Sequence, residues 1–298
     1  MKNNKIRDNF HIKNFRYLLR WVFIFLSGFF FLQSISGQNE NVIYQRLDTI
    51  IFHRYIHTFN AKKHGSVGDL MVQTGVFLMD APYVSRTLEQ CGKTERLVVN
   101  LRQFDPVTLV ENCMALVHTL KSKDQRFEAF CNELRDIRYR NGSITDFSSR
   151  LHYFTEWISN NETKGKVINL TAAFGGKRFV FVPDFITRNA VLYPAMSNPE
   201  IRSEMLTVEQ NLLHRVNFYI PKSVPVGNKI RNGDILCLTS NVSTLGISQV
   251  GIAFRLGGVL YMIHASAIDN KVEITPEPFL KYIASLPNIT GYMVVRPI

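Results

Sequence analysis

The middle of the chain has apolar residues at helical spacing. Between Pro106 and Ser122 they recur every three or four positions, so they share one face of a predicted helix. A polar stretch over residues 38–64 comes earlier, and we interpret it as a lead segment ahead of a domain that spans residues 65–298. The same spacing predicts four more helices, over Val67–Met79, from about Gln125 to Ile137, over Ser149–Asn160 and over Glu200–Leu213.

The C-terminal third has short apolar runs with the lengths of strands. Gly257 and Gly258 separate two of these runs and predict a hairpin turn. Because helices come first and hairpin-linked strands follow, the sequence predicts an α+β fold, with a helical N-terminal part packed on an antiparallel β-sheet. The predicted strands of the whole chain cover Leu97–Leu101, Phe179–Val182, Asp234–Leu238, Gln249–Phe254, Val259–His264, Lys271–Ile274 and Tyr292–Arg296.

Asp105 and Pro106 mark the start of the central helix. An aspartate suits the N-cap, because its carboxylate accepts a backbone N–H of the first turn. A proline suits the first helical position, where its missing N–H costs nothing. The pair therefore predicts a helix that begins at Pro106.

The first 37 residues have the pattern of a secretory signal peptide. A basic region precedes an apolar run from Trp21 to Leu32, and small residues follow at Ser34, Ser36 and Gly37. The apolar run is short for a membrane span. We therefore expect cleavage near Gly37 and an exported protein in the periplasm or at the cell surface. An uncleaved membrane anchor is the alternative.

Charge and cysteine content argue against several function classes. The formal net charge is +11, and the first 37 residues, with six basic residues and one aspartate, contribute +5 of it. The remaining charge of about +6 suits an anionic cell-wall environment, and we expect no nucleic-acid partner. The four cysteines form no CxxC pair and no Cys/His ligand spacing, so we expect no zinc site, no other metal and no cofactor. Cys113 and Cys131 lie in apolar helical patterns that favour buried free thiols.

Seven segments of the chain resemble one family in their order and spacing. They are Ala81–Val84 (APYV), Leu97–Leu101 (LVVNL), Asp105–Glu111 (DPVTLVE), Ser149–Ile158 (SRLHYFTEWI), Asn232–Ile235 (NGDI), Ile247–Ile252 (ISQVGI) and His264–Ser266 (HAS). The resemblance is to the domain-of-unknown-function family 1460, which belongs to the papain-like, NlpC-type cell-wall hydrolases. It covers nearly all of residues 65–298 and implies their papain-like fold.

The resemblance implies an amidase that cuts peptidoglycan fragments between the muramic sugar and L-alanine. Such an enzyme uses a cysteine at the start of the first core helix, a histidine base on the first strand of a hairpin, and a third polar residue on the next strand. In this chain those positions hold Pro106, Gln249 and His264. Proline has no nucleophile, and a glutamine amide cannot act as a general base. The resemblance therefore implies a homologue that has lost catalysis.

The resemblance also implies residues that border a substrate cleft. Arg150 is suited to hold a muropeptide carboxylate in a bidentate pair, and Trp157 is suited to pack on a sugar face. Helical spacing equally allows Tyr153 and Trp157 to be core residues. Simple packing is the alternative for Tyr83, and a bond to a neighbouring side chain is the alternative for His264. The candidate binding residues are Tyr83, Arg150, His152, Tyr153, Trp157 and Ser266.

Two functions of different classes remain open from the sequence. The first is an exported, non-catalytic protein that binds a cell-wall fragment, such as a muropeptide, or a protein partner. The second is an active amidase or peptidase that uses other residues. Cys113 is the cysteine nearest to Pro106 in sequence, but it lies roughly 10 Å further along the predicted helix, on its core face. A cysteine within about 4 Å of His264 would favour the enzyme.

Overall fold

The computed structural model describes residues 42–91, 94–242 and 244–298. The predicted signal peptide and its cleavage site near Gly37 lie outside these residues. Within the described residues, no helix combines the length and the apolar character that crossing a membrane requires.

Helices dominate the N-terminal half of the described chain, and strands dominate its C-terminal third. This arrangement confirms the predicted α+β class. The helices are α1 (Arg46–Phe59), α2 (Val67–Phe77), α3 (Pro106–Lys121), α4 (Phe127–Arg138), α5 (Phe154–Thr163), α6 (Phe185–Arg188), α7 (Pro199–Leu213) and α8 (Phe279–Ser285). The strands are β1 (Val42–Ile43), β2 (Leu97–Val98), β3 (Val167–Asn169), β4 (Lys177–Phe179), β5 (Asn217–Pro221), β6 (Ile235–Ser240), β7 (Ile247–Leu256), β8 (Val259–Ser266), β9 (Lys271–Ile274) and β10 (Ile289–Pro297).

The larger sheet runs in the order β4-β5-β10-β6-β7-β8-β9, and β3 also pairs with β10. All of its pairings are antiparallel. Gly257 and Gly258 have φ angles of 58° and 83°, the left-handed conformations that a two-residue hairpin turn requires. The glycine pair therefore fixes the β7–β8 hairpin.

Helix α3 is the central element of the core and packs against β7 and β8. Most of its apolar residues, among them Leu109, Val110, Cys113 and Met114, are fully buried. Because α3 is enclosed along its length, its N-terminus is held at a fixed place beside the hairpin.

Helix α1 lies within the segment that we interpreted as a polar lead. Phe52 and Tyr55 are completely buried in the main core, and the Tyr55 hydroxyl lies 2.8 Å from the Thr74 hydroxyl. Asp48, also buried, accepts a hydrogen bond from the Leu101 backbone N–H at 2.8 Å. Aromatic side chains on one side of α1 are thus buried in the main core, and the lead segment is part of the packed structure.

Two predicted boundaries also differ from the structure. The helix expected over Ser149–Asn160 begins only at Phe154, because the preceding turn is a separate 3₁₀ helix over Phe147–Ser149. Asp146 caps that turn by accepting a hydrogen bond from the Ser148 N–H at 2.7 Å. The strand expected over Phe179–Val182 lies earlier in the chain, because β4 covers Lys177–Phe179 and ends where the expected strand begins.

Candidate functional site

Pro106 occupies the first position of α3, and Asp105 is its N-cap. The Asp105 carboxylate accepts a hydrogen bond from the Thr108 backbone N–H at 2.8 Å. In return, the Thr108 hydroxyl oxygen accepts one from the Asp105 backbone N–H at 2.9 Å. Burial raises the pKa of Asp105. The helix start is thus stabilised by its neighbours and by proline geometry, with no reactive side chain at position 106.

Gln249 on β7 and His264 on β8 form a direct hydrogen bond, with 2.6 Å between Gln249 Nε2 and His264 Nδ1. An amide nitrogen can only donate, so Nδ1 is the acceptor and the ring proton lies on Nε2. His264 is only 1% exposed, and burial lowers its pKa to about 4. The imidazole is therefore neutral at pH 7. Its Nε2 lies 4.0 Å from Glu273 Oε1, and this contact is not an ion pair while the ring is neutral.

Pro106 and Gln249 line the same cavity, which has a volume of about 290 Å³. His264 adjoins this space through its bond to Gln249. The cavity lies between the N-terminus of α3, the start of β7 and the segment before α5. Its lining comprises Arg86, Leu88, Glu89, Asp105, Pro106, Val107, Thr108, Glu111, Arg138, Arg150, Leu151, His152, Phe154, Ile186, Tyr193, Leu245, Ile247, Ser248, Gln249 and Val250.

Arg150 lines the cavity but is already paired with protein carboxylates. Its Nη2 donates to Glu89 Oε1 at 2.9 Å, and its Nε lies 3.4 Å from Glu95 Oε1. Its guanidinium carbon also lies 5.0 Å from the centre of the Phe147 ring. The arginine is buried, so these partners hold it in place. These contacts engage the guanidinium with carboxylates of the chain itself, and a bidentate hold on a ligand carboxylate stays a prediction.

A second buried ion pair joins α3 to α4 in the cavity wall. Arg138 Nε donates to Glu111 Oε2 at 2.7 Å, and Arg138 Nη1 donates to the Val98 carbonyl at 2.6 Å. Burial raises the pKa of Glu111, and the adjacent Arg138 opposes that rise. Sequence reasoning missed this pair. The available signal was a glutamate inside the apolar run of α3, since a buried charge needs a partner.

His152 also lines the cavity, on the segment that precedes α5. Its Nε2 lies 2.7 Å from the Phe147 carbonyl oxygen, and its ring lies 4.1 Å from the Phe147 ring. Burial, with the positive charges of Arg150 and Arg140 nearby, holds the pKa of His152 well below its usual range. The imidazole is neutral at pH 7 and has a fixed orientation.

For Tyr153 and Trp157 the sequence allowed either a position at the cleft or a position in the core, and both side chains are buried in the core. The Tyr153 hydroxyl donates to Glu209 Oε1 at 2.6 Å. Trp157 is completely buried, and its ring stacks on Phe154 with centres 4.6 Å apart. Neither residue lines the cavity. Trp157 therefore has no exposed ring face on which a sugar could pack.

Ser266 and Tyr83 differ in their access to the site. Ser266 is buried, and its hydroxyl accepts a hydrogen bond from the Asp269 N–H at 3.1 Å, so it stabilises the turn after β8. Tyr83 is half-buried and forms a short parallel bridge with Phe104. Partial burial and the nearby Asp105 carboxylate raise the pKa of Tyr83. Tyr83 thus lies beside the start of α3, next to the cavity.

Cys113, Cys131 and Cys237 are buried free thiols, and none of them lines the cavity. Burial raises the pKa of Cys131 to about 12 and also raises the pKa values of Cys113 and Cys237. The side chain of Cys91 lies outside the described part of the chain. Among the described side chains, no group of three His, Cys, Asp or Glu residues is arranged to hold a metal ion. The described part of the site therefore offers no thiolate.

Comparisons with known proteins agree with the fold. Residues 73–290 match the AmiA-like family, described as N-acetylmuramoyl-L-alanine amidase-like. An N-acetylmuramoyl-L-alanine amidase structure from Bacteroides uniformis is 33% identical, with a TM-score of 0.73, over 78% of this chain and 100% of that chain. A Bacteroides fragilis structure, named as a xylanase candidate, is 31% identical, with a TM-score of 0.69, over 76% of this chain and 99% of that chain.

A more distant match concerns the fold alone. A family-1460 protein from Legionella pneumophila is 18% identical, with a TM-score of 0.64, over 85% of this chain and 94% of that chain. No curated protein matches this chain.

Proposed function

This chain belongs to the N-acetylmuramoyl-L-alanine amidase-like family, and from that premise we propose that it binds peptidoglycan fragments without hydrolysing them. One observation carries the proposal. Pro106 begins α3, and Gln249 is bonded to His264, at the positions where the family resemblance expects the nucleophile and the base. Pro106 and Gln249 line a single cavity.

Three chemical requirements of a cysteine amidase are missing around Pro106. Proline provides no thiol, and it also lacks the backbone N–H that would stabilise an oxyanion at the helix N-terminus. Gln249 cannot take a proton from a nucleophile. His264 cannot replace it, because its Nδ1 already accepts from Gln249 and its Nε2 carries the proton. The two-step acyl-transfer route therefore has no first step.

The cavity nevertheless retains the features of a binding site. Its volume of about 290 Å³ is close to the lower end of typical small-molecule sites. Its wall contains two ion pairs, Arg138 with the buried Glu111 and Arg150 with the partly buried Glu89, which keep it rigid. A rigid cavity of this size suits one sugar or a short peptide, the units from which a muropeptide is built.

The alternative is an active hydrolase that uses other residues. Glycoside hydrolysis, suggested by the name of the Bacteroides fragilis relative, needs two carboxyl groups that are free to exchange protons. In this cavity Asp105 caps α3, Glu111 pairs with Arg138, and Glu89 pairs with Arg150. Because each carboxylate is engaged, we favour binding over glycosidase activity.

We further propose that the mature protein acts outside the cytoplasm, where cell-wall fragments occur. The supporting observation is the signal-peptide pattern of the first 37 residues. N-terminal sequencing of the exported protein should find Gln38 as the first residue. A membrane fraction that still carries Met1 would indicate the alternative, an anchored protein.

The test of function measures binding and turnover on one ligand. Calorimetry with N-acetylmuramoyl-L-alanyl-D-isoglutamine should detect binding, and chromatography should detect no released L-alanyl-D-isoglutamine. A Cys91→Ser variant removes the one thiol whose side chain lies outside the described part of the chain. It should behave like the wild type in both assays. Peptide release by the wild type would refute the loss of catalysis. If neither this ligand nor a panel of other muropeptides binds, the binding proposal is refuted.

A further inference from the structure

His152 is the one cavity-lining histidine among the described residues, and it has no counterpart among the three amidase positions. A carbonyl oxygen can only accept, so the contact with the Phe147 carbonyl requires the ring proton of His152 to be on Nε2. Nδ1 is then left with a lone pair. Among the described residues, no group donates a hydrogen bond to this nitrogen.

The surroundings of His152 determine which ligand group can meet that lone pair. The Nε2–H is engaged by the Phe147 carbonyl and the ring packs against Phe147, so Nδ1 is the nitrogen left for a ligand. A ligand carboxylate would place its oxygen lone pairs against the lone pair of Nδ1. A ligand ammonium would approach the positive charges of Arg150 and Arg140, which already disfavour protonation of the ring. An uncharged N–H or O–H donor avoids both penalties.

We propose that Nδ1 of His152 accepts a hydrogen bond from an uncharged N–H or O–H group of a ligand bound in the cavity. This inference rests on the proposed binding function and specifies the chemistry of its ligand. It predicts that the cavity selects fragments with an amide or a hydroxyl at this place over fragments with a free amine or a free carboxylate there. His152 is then a specificity residue rather than a base.

The direct readout is the ¹⁵N resonance of His152 Nδ1 in the wild-type protein. Saturation with N-acetylmuramoyl-L-alanyl-D-isoglutamine should shift this resonance in the direction of a nitrogen that accepts a hydrogen bond. The resonance of His53, which lies outside the cavity, serves as the control and should not move. This measurement needs no variant, so it stands even if a substituted protein folds poorly.

Two variants measure the contribution of the acceptor. His152→Phe keeps a ring against Phe147 but removes Nδ1, together with the bond of Nε2 to the Phe147 carbonyl, and binding should weaken about tenfold, the effect of losing one buried hydrogen bond to the ligand. His152→Gln keeps both a donor and an acceptor, and its binding should fall much less. Circular dichroism establishes that both variants are folded before their affinities are compared.

Ligand analogues identify the donor. An ester in place of the lactyl amide should reduce wild-type affinity and leave the His152→Phe affinity unchanged if that amide is the donor. If the ester has no effect, the wild-type and His152→Phe affinities are compared for the analogue that lacks the N-acetyl group. A loss of affinity in the wild type alone identifies the acetamido N–H as the donor. If neither change alters the wild-type affinity, the donor is a sugar hydroxyl. Each of these results supports an uncharged donor, provided the Nδ1 resonance shifts.

Two results would overturn the inference and leave the proposed function intact. One is a wild-type protein that binds the fragment with an unchanged Nδ1 resonance and no loss of affinity in His152→Phe. The other is tighter binding of the free-amine analogue than of the acetylated fragment. If no muropeptide binds to the wild type, the proposed function fails, and this inference fails with it.

Discussion

Replacing both altered positions tests whether they alone account for the proposed loss of catalysis. We expect the double variant Pro106→Cys/Gln249→His to hydrolyse the muramoyl-L-alanine bond weakly. The Gln249 amide nitrogen lies 2.6 Å from His264 Nδ1, so a histidine side chain on this part of β7 would have His264 close enough to orient it. Cysteine at the first position of α3 would face the positive end of a 16-residue helix, which lowers a thiol pKa.

The structure indicates that the double variant will fold. Replacing a compatible proline costs about 1 kcal/mol, because the unfolded chain gains conformational freedom. The two hydrogen bonds between Asp105 and Thr108 do not involve the Pro106 side chain, so the helix cap remains. Against a typical stability of about 5–15 kcal/mol, this loss should lower the melting temperature by only a few degrees.

The assay is chromatographic release of L-alanyl-D-isoglutamine from N-acetylmuramoyl-L-alanyl-D-isoglutamine. Neither single variant should release peptide, because the thiolate and its base act as a unit. The matched control Pro106→Ala/Gln249→His restores the backbone N–H without a thiol and should also be inactive. Iodoacetamide should abolish the activity of the double variant. A folded double variant that binds the ligand without turnover would refute our assignment of these two positions as the missing nucleophile and base.

Three further predictions concern stability, each measured by urea unfolding. Arg150→Ala should destabilise the protein by about 3–5 kcal/mol, because Glu89 is left without its buried partner; a loss below about 1 kcal/mol would contradict the assigned pairing. Trp157→Ala should cost about 3–5 kcal/mol, as for a core aromatic, and a near-neutral effect would contradict its burial. Glu133 has its pKa lowered to about 2, through hydrogen bonds to His118 and Lys166 that outweigh its burial. The stabilisation that Glu133 provides, up to about 3 kcal/mol, should therefore be present above pH 4.5 and lost as the pH falls towards 2. Glu133→Gln should accordingly destabilise the protein above pH 4.5 and have little effect near pH 2.

Local signals in the sequence were sufficient to predict the elements that hold the site. The Asp105–Pro106 pair predicted the start of α3, and α3 begins at Pro106. The diglycine predicted the turn between β7 and β8. These elements depend on capping, turn geometry and periodicity, which neighbouring residues determine.

Features that depend on distant contacts could not be predicted in the same way. Helix α1 was missed because His53 and Arg54 stand between Phe52 and Tyr55 and give this part of the sequence a polar appearance. The partner of Arg150 could not be predicted, because Glu89 is 61 positions away in sequence and only the folded chain brings the two together. Trp157 has helical spacing that fits a core position and a cleft position equally well, and only packing decides between them.

The cavity wall itself argues for a retained function. Pro106 and the Gln249–His264 hydrogen bond are favourable for stability, so stability alone explains the groups at the amidase positions. The ion pairs of Arg138 and Arg150 are different, because a buried ion pair usually contributes no more to stability than apolar residues of the same volume. Stability alone would not require two such pairs beside one cavity. A wall that fixes charged groups at defined positions is what a binding site needs, and this supports our proposal that the cavity binds a ligand.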